Sequence, residues 1–249
     1  MYFVFPTPSD IADYLSQQLL DLIREKPDCV LGLATGSTME PVYAELIRLF
    51  GEQQPDLSRL TTFNLDEYIS LPASHPQSYN YYMHEHLFDE LGLDDRQVHL
   101  PSGVCTELEQ ECIDYSAAIA AAGGLDFQLL GVGTNGHIGF NEPGTSFDSL
   151  THVVELSENT RIDNGRFFDN MDEVPTHAIT MGIRDILNAK QIVLVATGEH
   201  KTDIISQLYR TPADESMPAS ALKLHPDVRV YLDEAAASKL PQEALYHVF

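Results

Sequence analysis

Positive charge is what this sequence has least of. Fourteen Lys and Arg stand against thirty-eight Asp and Glu in 249 residues, a formal net charge of −24. A chain this acidic repels phosphate backbones and anionic lipid, so neither a nucleic acid nor a membrane surface is expected as a partner. Cysteine is also scarce: Cys29, Cys105 and Cys112 are odd in number and form no CxxC pair. That argues against a disulfide framework and a zinc knuckle, and for a reducing compartment. The first cation is Arg24, so no basic region precedes an apolar stretch near Met1, and no apolar run approaches the ~20 residues that span a bilayer. A cytoplasmic protein is expected. Linkers, charge blocks, low-complexity segments and internal repeats are missing as well, which leaves a single domain over residues 1–249 as the expectation.

What is present is a chain that is 43% apolar, enough to build a real core. Short apolar runs at 29–33, 60–64, 127–131, 177–181, 191–196 and 228–232 read as strands. Helical patterns lie between most of them, notably at 78–91, 107–122 and 200–209. Ser9 is expected to cap a first helix that runs to Lys26, with Ile11, Leu15, Leu19 and Leu22 on one face. Thr38 is expected to cap the next, with Pro41 in its first turn, where a missing N–H is harmless. Alternation of this kind predicts an α/β fold with a mainly parallel sheet and helices on both faces. In such sheets the functional site lies beyond the carboxyl ends of the strands.

Three segments at strand ends carry chemistry. Gly32 to Thr38 (GLATGST) runs from a strand into a Gly/Ser/Thr turn before a helix. Its small residues let backbone N–H groups approach an anion, though the same turn serves equally as an unliganded cap. Phe63 to Tyr68 (FNLDEY) sets two acids side by side among apolar neighbours. Asp66 there is either a carboxylate of raised pKa, suited to general-base work, or a helix N-cap. Gly131 to Thr145 (GVGTNGHIGFNEPGT) brings Asn135, His137 and Glu142 within eight positions of a glycine-rich loop. A histidine in that setting reads as part of a site rather than as a structural residue. No Lys or Arg occurs from Gln97 to Thr160. Arg161, Arg166 and Lys201 then supply local cations that an anionic substrate would need. No Walker lysine, GxSxG elbow or HExxH pair is present, and His84 and His86 are two apart and expected on different helix faces. No metal and no cofactor are expected.

The stretches LGLATGSTMEPVY, TTFNLDEYISLP, HPQSYNYYMHEHLF, GVGTNGHIGFNEPGTSF and ENTRIDNGRFF, followed by VLVATGEHK, resemble in order the motifs of the glucosamine-6-phosphate deaminase family. The resemblance implies a modified Rossmann-like fold and conversion of glucosamine 6-phosphate to fructose 6-phosphate and ammonia. It implies Asp66 as the base that moves a proton between C2 and C1, and His137 as the group that opens the sugar ring. Asn135 and Glu142 would hold that histidine. Gly36, Ser37 and Thr38 would take the phosphate, with Arg166 and Lys201 as its cations. Long members of the family carry Asp where this chain has Asn135. Their allosteric basic residues are replaced here by His152 and Val154. The expectation is an unregulated monomer or small homo-oligomer. Three other readings compete: a 6-phosphogluconolactonase-like hydrolase, a sugar-phosphate-sensing module and a deaminase-fold protein that has lost its activity. A sensor would have no reason to keep Asp66 and His137 together.

Overall fold

The computed structural model describes residues 1–165, 168 and 170–248, with Asp163 described by its backbone alone. The chain runs β1 (Tyr2–Phe5), α1 (Pro8–Glu25), β2 (Val30–Leu33), α2 (Glu40–Gln53), β3 (Thr61–Asn64) and β4 (Asp66–Tyr68). A helical stretch follows: α3 (Tyr79–Met83), a wide π turn (His84–Phe88) and α4 (Asp89–Leu91). After it come β5 (Val98–His99), α5 (Leu108–Ala121), β6 (Phe127–Leu130), β7 (His152–Glu155) and α6 (Glu158–Gly165). The chain closes with β8 (His177–Thr180), α7 (Ile183–Leu187), β9 (Ile192–Ala196), α8 (Thr202–Arg210), β10 (Val228–Asp233), α9 (Glu234–Ala237) and β11 (Leu245–His247).

Eight strands form one sheet in the order β11-β1-β10-β9-β6-β2-β3-β5, and every pairing in it is parallel. Its central strands VLGL, FQLL and IVLVA are buried at every position, the pattern of a sheet covered on both faces. Leu31, Leu33 and Thr62 face a small apolar cavity shared with Leu19 and Ile23 of α1 and Leu46 of α2. Phe63, on the opposite pleat, meets Tyr115 of α5 with ring centroids 5.7 Å apart. The expected mainly parallel sheet with helices on both faces is therefore what the chain builds.

The segment 177–181 does not join that sheet. β8 pairs antiparallel with β4 on one side and β7 on the other, making a second sheet in the order β4-β8-β7. Two backbone bonds join the sheets at one seam: Leu65 N–H donates to Leu33 at 3.2 Å, and Met181 N–H donates to Leu65 at 2.6 Å.

Two caps differ from expectation. Thr7, not Ser9, caps α1: its hydroxyl accepts from Asp10 N–H at 3.2 Å, and Asp10 returns a bond to Thr7 N–H at 2.9 Å. This reciprocal box satisfies two orphan N–H groups, which a cap at Ser9 would not. Thr38 does not cap α2, whose N-cap is Met39 with no side-chain bond. Pro41 sits in the first turn as expected.

Candidate functional site

The carboxyl ends of β2, β3, β6 and β9 open onto one cavity of about 520 Å³. Ala34 to Thr38 line it from the end of β2, Leu65 and Asp66 from beyond β3, and Gly131 to Thr134 from beyond β6. Lys201 reaches in from the segment after β9. The helix beginning at α3 forms a further wall with Tyr79, Tyr82, Glu85 and His86.

Asp66 is 6% exposed and lines this cavity. It is the first residue of β4, paired with Thr180, and caps no helix. Burial pushes its carboxyl up to about 8, with the neighbouring Glu67 adding to the rise. A carboxylate at that level is a far stronger base than one in water, because desolvation penalises its charged form. Gly139 permits the close packing beside it. Its φ is +56°, and a Cβ there would fall 2.8 Å from Thr180 Oγ1 and 3.5 Å from Asp66 Oδ2.

His137 lines the same cavity, its ring laid flat against Gly133, where a Cβ would meet the imidazole at 2.2–2.5 Å. Asn135 and Glu142 stand behind this histidine rather than in the cavity wall. Asn135 Oδ1 accepts from the backbone N–H of His137 at 3.1 Å, and its Nδ2 donates to Glu142 Oε2 at 2.7 Å. Glu142 Oε2 lies 4.0 Å from His137 Nδ1, close enough for charge to act but beyond a hydrogen bond. An amide at position 135 suits this arrangement. It donates to the carboxylate, where a second acid would have to share a proton.

The phosphate-loop residues Gly36, Ser37 and Thr38 line the cavity directly ahead of α2. Gly36 has φ +108°, and its carbonyl accepts from Met39 N–H at 2.8 Å and from the Tyr82 hydroxyl at 3.0 Å. Lys201 is the one Lys or Arg among the described lining residues, and its Nζ donates to the Val132 carbonyl at 2.7 Å. Arg166, expected as the second phosphate cation, lies outside the described residues.

Several lining residues had no role in the sequence reading. Tyr68, Tyr79 and Phe140 pack ring against ring at 4.9–6.0 Å beside Asp66, and the Tyr79 hydroxyl donates to that of Tyr68 at 3.2 Å. Thr160 donates to Glu142 Oε1 at 2.5 Å and so fixes its second oxygen. His84 and His86 part as expected. His84 pairs with Asp89 at 2.7 Å, while His86 lines the cavity and packs on Tyr82 with ring centroids 4.4 Å apart. Tyr79, Tyr82 and His86 come from the quoted HPQSYNYYMHEHLF stretch. Their spacing of three and four along a helix was the available signal. Among the described residues no three His, Cys, Asp or Glu side chains gather as a metal would require, and no helix is long and apolar enough to cross a membrane.

Known proteins share both this sequence and this architecture. A glucosamine-6-phosphate deaminase of Bacillus pumilus is 53% identical over 216 residues, covering 87% of this chain and 90% of the relative. One of Rhodopirellula baltica is 51% identical over 226 residues, covering 91% and 90%. A solved monomeric glucosamine-6-phosphate deaminase superposes with a TM-score of 0.92 at 44% identity, over 96% of this chain and 98% of the other. A 6-phosphogluconolactonase of Trypanosoma cruzi superposes at 0.78 with 18% identity over 96% of each chain, which speaks for the fold alone. The model of the glucosamine-6-phosphate isomerases/6-phosphogluconolactonase family matches residues 7–231. With nine-tenths of its length matched, the chain belongs to that family of glucosamine-6-phosphate isomerases and 6-phosphogluconolactonases.

Proposed function

We infer that the chain catalyses the isomerisation and deamination of glucosamine 6-phosphate, with water, to fructose 6-phosphate and ammonia. The observation that carries this reading is a buried carboxylate of raised pKa, Asp66, facing the same cavity as His137, a Gly/Ser/Thr loop and Lys201. The half-identical relatives are deaminases, whereas the lactonases share the fold only.

In the proposed sequence His137 moves the proton that opens the pyranose ring. Asn135 holds the backbone of His137, and Glu142 holds a negative charge 4.0 Å from its ring to support the cationic form. The Asp66 carboxylate takes the proton from C2 of the open sugar, leaving an enolamine, and returns it to C1. The resulting C2 iminium adds water and expels ammonia, so every atom of substrate and water appears in the two products. Gly36, Ser37 and Thr38 receive the phosphate beside the Lys201 ammonium, which fixes C1 and C2 against Asp66. Arg166 is proposed as a second phosphate cation on the family pattern alone. No step in this scheme calls for a metal or a redox cofactor.

We further propose that the chain works as a monomer or small homo-oligomer without activation by N-acetylglucosamine 6-phosphate, as a single catalytic domain in the cytoplasm. The monomeric state of the solved relative supports the first point. Light scattering on the purified protein and a substrate curve with and without the acetylated sugar test both. The activity itself is tested by following ammonia and fructose 6-phosphate together from glucosamine 6-phosphate. Equal release of both is expected. Binding with release of neither would favour a sensor, and hydrolysis of 6-phosphogluconolactone in its place would favour the lactonase.

A further inference from the structure

A second buried acid stands beside the base, and the proposed chemistry leaves it unused. Glu67 is 3% exposed. Strand alternation sends its side chain off the opposite face of β4 from Asp66, toward the start of α3. There Oε1 accepts from the backbone N–H groups of Tyr68 at 2.8 Å and Tyr79 at 2.9 Å, and Oε2 accepts from Asn80 N–H at 2.9 Å. Three N–H donors solvate an ionised carboxylate and favour it over the neutral acid. Burial raises the Glu67 pKa above its ordinary value, and these donors offset part of that rise. Asp66 has the reverse surroundings. Among the described residues no hydrogen bond offsets its burial, and Glu67 is the charge that acts on it.

We propose that Glu67 is a positioning residue for Asp66: it holds a fixed negative charge beside the base and ties β4 to the helix that forms the facing wall of the cavity. The proposal rests on the reading of Asp66 as the proton-moving base. Two of these backbone bonds, from Tyr79 and Asn80, fasten the strand carrying Asp66 to the first turn of the segment carrying Tyr79, Tyr82 and His86, while the third, from Tyr68, stays within β4. Other titratable groups face Asp66 from the elements around it. Tyr68, Tyr79 of α3 and Tyr115 of α5 are all pushed above the ordinary phenol range by burial and stay neutral. His137 shares the cavity after β6, and Glu40, Glu85, His86, His200 and Lys201 complete its walls. The variants below leave every one of these in place.

Carbon-13 NMR titration of the Asp66 and Glu67 carboxyls in the ligand-free protein tests this, alongside pH profiles of kcat/KM for the wild type, Glu67→Gln and Glu67→Asp. Glu67 is expected to stay ionised throughout the range in which Asp66 titrates. In Glu67→Gln the Asp66 midpoint should fall by about one pH unit, the value of one nearby charge in a partly screened interior. The acid limb of kcat/KM should follow it. Plateau kcat should drop about three-fold because the base is weaker, with KM changed by less than about two-fold. Glu67→Asp keeps the charge and should restore the midpoint. A midpoint unmoved in Glu67→Gln, with KM raised or the melting temperature lowered, would mark Glu67 as a structural cap only and overturn the proposal. Should Glu67→Gln fail to fold, the wild type decides alone: Glu67 found protonated while Asp66 is ionised overturns it equally. A wild type that titrates as stated yet releases no ammonia would sink the deaminase reading and leave the coupling of the two acids standing.

Discussion

In the eight-stranded sheet β2, β6 and β9 are buried at every position, whereas β7 of the three-stranded sheet alternates half-buried and exposed residues. The first pattern belongs to strands covered on both faces, the second to a sheet with one side in water. The division of labour follows the same line. Loops at the carboxyl ends of the parallel strands supply the Gly36–Thr38 turn, His137 and Lys201, while the antiparallel sheet supplies Asp66. On the proposed mechanism phosphate binding and the ring-opening His137 thus belong to one sheet and the C2–C1 proton transfer to the other, and the seam at Leu65 and Met181 joins them.

The sharpest way to break that division is Asp66→Asn. Loss of the base is expected to cut kcat by roughly 10²–10⁴-fold with substrate binding kept, read by steady-state kinetics and calorimetry. A matching loss of binding would show that the two roles are not separate. Lys201→Met probes the other sheet. KM for glucosamine 6-phosphate should rise about ten- to a hundred-fold with kcat changed far less, since an anchor held equally in ground and transition states acts on binding. The pH profile sharpens the comparison further. On the proposed mechanism Asp66 works as its anion, and burial pushes its pKa up to about 8, above the ordinary carboxylate value. kcat/KM should therefore rise with pH through that region and fall about tenfold per unit well below it.

The smallest effect on catalysis is expected at the far end of the parallel sheet. Asp126 accepts from Lys190 at 2.6 Å, from Lys26 at 2.7 Å and from Val30 N–H at 2.8 Å. Burial works to raise its pKa, but these three bonds outweigh it and hold the carboxyl below its usual value. Its contribution to stability is present above the unfolded carboxylate pKa and is lost as pH falls through the lower folded one. Asp126→Asn should cost about 1–2 kcal/mol at neutral pH, kept small because both lysines are solvent-exposed, and lower Tm by about 2–8 °C. Thermal melts should show that deficit shrinking in acid while kcat stays put.

The parallel sheet was legible because Val30 to Leu33, Phe127 to Leu130 and Ile192 to Ala196 are continuous apolar runs, a signal that survives in four or five residues. The antiparallel sheet was not. Asp66 to Tyr68 is too short to show alternation and opens with two acids, so it read as a loop or a cap. His177 to Met181 read as a strand, yet nothing in its composition says which sheet it joins. Asp66, His137 and the Gly36–Thr38 loop could be named because glycines and polar groups cluster after apolar runs. Thr160 could not, because its bond to Glu142 spans eighteen positions and leaves no local pattern. Glu67 was seen only as a crowding neighbour, since its partners are backbone N–H groups that every residue carries.

The wide turn at His84–Phe88 works as a phase shifter along a single rod. Ahead of it, Tyr79 and Tyr82 look into the large cavity; beyond it, Leu91 looks into the apolar gap beside Leu19. A turn of that kind holds one residue more than an α-helical turn, worth about 100° of rotation. Trimming a single residue there would swing Leu91 off its hydrophobic seat while leaving Tyr82 where it is. The length of this rod is therefore as much a part of the molecule's specification as any side chain upon it.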